Sequence, residues 1–101
     1  MSTPVQGLAV STGAAGAPVT AIAANQSGGY VVNPLDPADQ GQATDAAVLY
    51  VNQVGPATTV ANTTTLALQP GQSYQIVPGA TTPVSVASNA ANHKFTAVSW
   101  L

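Results

Sequence analysis

The chain has 101 residues, no cysteine, one Lys or Arg, three acids and a formal net charge of −2. Charged residues are 4 % of it, against about 25 % in ordinary domains, so the lone cation Lys94 cannot supply the phosphate contacts of nucleic-acid binding or hold an anionic membrane surface. Disulfides, thiolate metal sites and cysteine nucleophiles are excluded, while the length suits one domain with a core of its own.

The opening "MSTPVQGLAV" has neither a basic leader nor a long apolar run and does not read as a signal peptide. No stretch approaches the ~20 apolar residues of a membrane-spanning helix. Within "VQGLAV" Leu8 and Val10 share a face. "APVTAIAA" (17–24) reads as a second strand, with Val19, Ala21 and Ala23 on one side and Thr20 and Ile22 on the other. In "GGYVVNPL" (28–35) Gly28-Gly29 reads as a turn and Tyr30-Val31-Val32 as a short strand. Asn33-Pro34 ends it, because proline lacks a ladder donor and forces its predecessor towards an extended conformation.

"DPADQGQATDAA" (36–47) holds all three acids, Asp36, Asp39 and Asp45. Asp36 can cap a turn that Pro37 begins, and Gly41 limits any helix to about one turn. The strand signal then strengthens. "AVLYVNQVG" (47–55) alternates Val48, Tyr50 and Asn52 against Leu49, Val51 and Gln53. "TTVANTTTLALQ" (58–69) holds Val60, a polar break at Asn62, then Leu66 and Leu68 on one face. "QSYQIV" (72–77) pairs Tyr74 with Ile76, and "PVSVAS" (83–88) pairs Val84 with Val86. "KFTAVSW" (94–100) sets Phe95 and Ala97 against Val98 and Trp100.

Roughly eight short strands bounded by Pro, Gly and Asn define an all-β chain. The predicted fold is a single small β-sandwich, jelly-roll or immunoglobulin-like, or a barrel-like domain. Residues 1–27, rich in Ala and Gly, read as an extended N-terminal arm or capping hairpin against a neighbouring chain, and 28–101 as the sandwich. Deleting 1–20 should then weaken attachment and leave the sandwich folded. The candidate core and interface anchors are Tyr30, Tyr50, Leu66, Leu68, Tyr74, Ile76, Val84, Val86, Phe95 and Trp100.

Catalytic chemistry finds little support. His93 and Lys94 are the only candidate bases, and strand neighbours point to opposite faces. His93 follows the turn-like "SNAAN" and reads as an exposed or locally bonded loop histidine. Asp36 and Asp39 could form a carboxylate pair, but turn caps are the simpler reading, and the acid spacing matches no calcium loop. No Gly-x-Ser-x-Gly elbow or phosphate-binding loop is present. No catalytic residue, metal ligand or cofactor is assigned. Asn25-Gln26-Ser27 and Asn62-Thr63-Thr64 match the glycosylation triplet, a common coincidence in an Asn- and Thr-rich chain.

In "LQPGQSYQIVPG" (68–79) the pairs Pro70-Gly71 and Pro78-Gly79 read as register stops around a scaffold strand, with Ser73 and Gln75 outward. The succession "AVLYVNQVGPA", "TTTLALQPGQSYQIVPG", "TPVSVASNAANHKFTAVSW" resembles small β-sandwich structural proteins of tailed bacteriophages. The opening "TPVQGLAVSTGAAGAPVTAIAANQSGGYVVNP" is similar to the nearly uncharged N-terminal part of capsid decoration, or cement, proteins. The resemblance implies a non-catalytic virion protein, made in the host cytoplasm, that binds the outside of an assembled head and stiffens it. Its partners would be the major capsid protein and copies of itself, as a homotrimer, without nucleic acid or membrane. A tail, baseplate or fibre-associated module is one alternative, and a carbohydrate-binding or bacterial-surface sandwich is another.

Overall fold

A computed structural model describes residues 5–6, 11–34, 48–59 and 64–101. Leu8, Val10, the 36–47 stretch with its three acids, Val60 and Asn62 lie outside the described residues. Among the described residues eight strands are seen: β1 (Val5–Gln6), β2 (Val19–Ile22), β3 (Gly28–Val32), β4 (Leu49–Asn52), β5 (Thr65–Leu68), β6 (Ser73–Gln75), β7 (Val84–Ser88) and β8 (Thr96–Trp100). There is no helix among the described residues.

The strands form two four-stranded sheets, ordered β1-β8-β3-β6 and β2-β7-β4-β5, and every pairing is antiparallel. The pairings are nested. β4 pairs β5, β3 pairs β6, β2 pairs β7 and β1 pairs β8, and successive levels of this long hairpin fall in alternate sheets. Further pairings, β3 with β8 and β4 with β7, join the two levels within each sheet.

One apolar cluster lies between the sheets. Ala21, Ile22, Leu49, Val51, Leu68, Val84 and Val86 come from one sheet, and Val31, Ile76, Phe95 and Ala97 from the other sheet and its flanks. Period-two alternation explains most of the set: in β4 Leu49 and Val51 point inward, and in β7 Val84 and Val86 do. Each fully buried Val, Leu or Ile contributes about 1.5–3 kcal/mol. With only Phe95 and part of Tyr74 as inner aromatics, branched aliphatics supply most of the cohesion.

Three expectations change. In β2 the register steps from Thr20↔Ser85 to Ile22↔Val84, a bulge that inserts Ala21 and lets Ala21 and Ile22 both face inward. Simple alternation, which put these two on opposite sides, fails there. Gly28 and Gly29 are not a turn but the first residues of β3, opposite Trp100 and Ser99. Leu66 does not share the burial of Leu68: the latter is buried, the former 49 % exposed, because Leu66 sits at the open mouth between the sheets.

The region 1–27 contributes β1 to one sheet and β2 to the other, and Thr12 is buried. Deleting 1–20 would remove half of β2 and Thr12, so such a chain is expected to lose its cooperative thermal transition rather than keep a folded sandwich.

Both Pro-Gly pairs make turns of defined geometry. The Gln72 amide donates to Gln69 O at 3.0 Å and Gly71 has φ 89°, the arrangement of a type II turn with proline second and glycine third. Gly79 also has positive φ, 73°, but its amide donates to Gln26 O at 2.7 Å. That second turn docks on the β2–β3 loop.

Candidate functional site

The described surface carries two largely apolar grooves, one of about 290 Å³ framed by Pro18, Val19, Pro56 and Pro83. The other, of about 270 Å³, runs between the edges of the two sheets, lined by Val51, Val54, Leu66, Tyr74, Val77 and neighbouring polar residues. Leu66, Val54 at 68 % and Val77 at 57 % exposure are three of the five large hydrophobic side chains exposed among the described residues. β5 forms one wall, and β6 with the residues after it forms the other. No charged residue lines it.

Gln53, just past β4, fixes this groove. Its Oε1 accepts from the Tyr74 hydroxyl at 2.6 Å and from the Val77 amide at 2.8 Å, and its Nε2 donates to Val77 O at 3.1 Å. The side-chain amide thus stands in for a strand partner of Val77 and ties the two sheets together at the open edge. Burial raises the Tyr74 hydroxyl pKa above its usual value, and the protonated hydroxyl is the donor to Gln53.

Asn52, buried at the end of β4, organises the following turn. Its Oδ1 accepts from the Val54 and Gly55 amides at 2.7 and 2.9 Å, and its Nδ2 donates to Thr64 Oγ1 at 3.0 Å and Thr65 Oγ1 at 2.9 Å. This is a side-chain-capped turn that also holds the start of β5. Asn52→Ala is expected to cost about 2–3 kcal/mol, since a buried side chain that makes several hydrogen bonds is removed at once; urea unfolding at neutral pH measures it.

A second polar cluster lies inside. His93 is 1 % exposed, which corrects the expectation of an exposed or locally bonded loop histidine. Its Nε2 is 2.7 Å from Asn33 Oδ1, its backbone amide donates to Thr12 Oγ1 at 2.9 Å, and its carbonyl accepts from the Thr12 amide at 2.9 Å. Asn33 Nδ2 donates to Leu68 O at 2.8 Å. That bond sets the Asn33 amide with its oxygen towards the ring, so Nε2 carries the proton and donates. Nδ1 is then a bare acceptor, buried without a partner. Burial lowers the His93 pKa below its usual value. The ring bonds Asn33 at the end of β3, which in turn bonds Leu68 of β5, while the His93 backbone holds Thr12; the ring's geometry is that of a neutral strut.

The predicted anchors divide into four positions. Leu68, Ile76, Val84, Val86 and Phe95 are buried in the core, with Tyr74 partly buried against it. Leu66 sits at the groove lip. Tyr30 and Trp100 share the outer face of the β3–β8 pair, Tyr30 being 38 % exposed and Trp100 half-buried over Gly28. Tyr50 is half-buried in β4. Sequence reasoning missed Gln53, Asn33 and Thr12, whose roles depend on partners 21 to 81 residues away. The turn role of Asn52 had a local signal, an Asn two residues before "VGP".

The strands define a two-sheet, all-β protein with an uncharged groove at one open edge. Comparison with family models, with curated proteins and with solved structures finds no match to this chain.

Proposed function

We propose that this chain is a non-catalytic virion structural protein, a decoration protein that binds the outer surface of a phage head and stabilises it. The observation that carries this reading is the nested strand order, β1-β8-β3-β6 against β2-β7-β4-β5. We read it as a jelly roll, in which one long hairpin is rolled up so that its levels alternate between sheets. That architecture recurs in viral capsid proteins and in lectins, and architecture alone does not assign a role.

The surface supports the assembly reading. With charged residues at 4 % of the chain, few ionic groups lose hydration on burial against a neighbour. Many copies on a symmetric lattice make modest single-site affinity effective, and binding only to the assembled shell shifts that shell towards stability by mass action.

The test is cryo-electron microscopy of the parent particle, together with heating of particles that carry or lack the protein. Density on the outer head surface and a higher disruption temperature in its presence are expected. Density confined to tail or baseplate, or no difference on heating, would reject head decoration.

A carbohydrate-binding reading draws on one observation, the outward Tyr30 and Trp100 on the same sheet face, since aromatic faces stack on sugars. Tyr30→Ala should abolish glycan retention under that reading and leave particle attachment unchanged under the first.

A further inference from the structure

Residues 11–16, Ser-Thr-Gly-Ala-Ala-Gly, lie along the segment that joins β7 to β8. Ser11 forms an isolated antiparallel bridge with Lys94. The Thr12 amide donates to His93 O and the His93 amide to Thr12 Oγ1, both at 2.9 Å. The Asn92 amide donates to Gly13 O at 2.9 Å, and the Gly16 amide to Ser88 O at 2.8 Å. None of these six side chains joins the apolar cluster, and only Thr12 among them is buried. A segment held by hydrogen bonds with little apolar burial opens at a lower free energy than the sheets do.

His93 lies at the middle of this seat. Its backbone bonds Thr12 in both directions, while its ring is sealed from water with Nε2 on Asn33 Oδ1 and Nδ1 facing no acceptor. A neutral ring suits that site. A protonated ring would bring a charge and a second N–H that nothing there accepts, and burial makes both costly. The polar side chains bonded to residue 93, Asn33 and Thr12, are neutral. No carboxylate side chain lies among the described residues; Lys94 is exposed, and the three tyrosines sit on β3, β4 and β6.

We propose that residues 11–16 form an acid-released strap: a proton on His93 is accommodated by the strap lifting off the 88–94 segment while the β2-β7-β4-β5 sheet stays folded. Thr12 and His93 are buried and bonded to each other, so lifting Thr12 opens residue 93 to water. Gly16, at φ 80°, and Pro18 separate the strap from β2, and the pairing of β2 with β7 is left in place. Burial holds the His93 pKa below its usual value in the closed form. The open form therefore binds the proton more tightly, and opening becomes more favourable as pH falls below about 6.5. Its equilibrium constant approaches a rise of about tenfold for each further pH unit.

The strap belongs to the isolated chain and not to any particle that carries it, so its test and the particle test fail separately. Amide hydrogen exchange of the full chain is followed by NMR from pH 7.5 to pH 5 and expressed as protection factors. The amides of Thr12, Gly16, Asn92 and His93 are the reporters, and those of β4 and β7 are the reference. The reporters are expected to be less protected than the reference at every pH. They should lose about ten- to thirty-fold of their protection across the range. Low urea should speed the reference amides and leave the reporters nearly unchanged, because lifting a strap exposes little surface.

Two variants separate the ring from the seat. His93→Gln keeps a donor towards Asn33 but cannot titrate, and should hold reporter protection constant with pH. Thr12→Ala removes the acceptor of the His93 amide; it should lower protection at Gly16 and Asn92 at every pH while β4 and β7 keep theirs. Thr12→Ala and the parent carry the test if His93→Gln fails to fold. Reporters that match β4 and β7 in rate and urea dependence would show that the segment opens only when the whole chain unfolds, which overturns the strap. Equal losses in reporters and reference under Thr12→Ala overturn it too. Parent protection that does not change with pH, or a His93→Gln chain that declines as the parent does, overturns the role of the ring.

Discussion

Gly29→Ala is expected to lower the unfolding free energy by about 2–6 kcal/mol, combining about 1–3 kcal/mol of backbone strain with a similar overpacking cost. Gly29 has φ 155°, and a Cβ there would stand 2.5 Å from the Val98 carbonyl oxygen and 2.9 Å from Ser99 Cα. Both contacts are backbone of the central strand β8, which pairs with β3 and β1 and cannot recede without breaking that ladder. The Gly29 carbonyl also accepts from the Ile76 amide at 3.1 Å, so rotation of residue 29 would loosen β6 too. A domain of this size has about 5–15 kcal/mol in total, and the loss is a large share of it.

Neighbouring glycines supply the controls. A Cβ on Gly28 would lie 2.5 Å from the Trp100 ring, but that ring is a half-buried side chain on the outer face and can tilt away. Gly28→Ala should therefore cost less than Gly29→Ala. A Cβ on Gly55 meets nothing within 4 Å, and Gly55→Ala should change stability by no more than about 1 kcal/mol. Denaturant midpoints of the three variants give the order directly. Equal losses at Gly28 and Gly29 would refute the backbone explanation.

Loss of the His93 ring is the second large effect. His93→Ala should cost about 3 kcal/mol or more, from the space left in the interior and the loss of the buried His93–Asn33 hydrogen bond. The pH dependence has a definite sign. Burial holds the folded-state pKa below the unfolded value of about 6.5, so between the two the unfolded chain binds more protons than the folded one. Stability therefore rises with pH through that window. It is fully present above about 6.5 and is lost as pH falls towards the folded value. Protonation would put a charge and an unpartnered Nδ1–H in the interior, next to Asn33, Thr12 and the 93–95 backbone. The only charged group among the described residues near it in sequence, Lys94, has the same sign.

Urea unfolding of the parent from pH 8 to pH 5 should show this decline. His93→Gln, which can keep a donor towards Asn33, should flatten it over that range. A parent curve that does not fall on acidification, or a His93→Gln curve that falls equally, would show that the ring is not the titrating group.

How legible these features were depends on the range over which each is determined. The strands of strong alternation, β4, β7 and β8, were readable because a half-buried strand must alternate, and the inward residues Leu49, Val51, Val84, Val86, Phe95 and Ala97 follow from that period. The Pro70-Gly71 turn was readable because proline presets one dihedral of a type II turn and glycine accepts the other. Where alternation was broken, at the Ala21 bulge and at Gly28-Gly29, local reading failed. A bulge is set by the partner strand, and these glycines are required by the ring of Trp100 and the backbone of β8, more than 65 residues later.

The candidate surface was less legible than the core. Leu66 and Leu68 are two residues apart on one face, yet one is buried and the other stands at an open mouth, because β5 is the last strand of its sheet and edge position is not written in a strand's own residues. Likewise "SNAANHK" looks like an exposed loop until the folded chain brings Thr12 and Asn33 to the ring.

The all-β class, the turn positions, most of the inward faces and an almost uncharged surface follow from side-chain size, polarity and local dihedral preference, and so could be read along the chain. Which strands border the described sheets, which glycines pack against another segment and the sealing of His93 inside depend on partners that meet only once the chain has folded, and so could not.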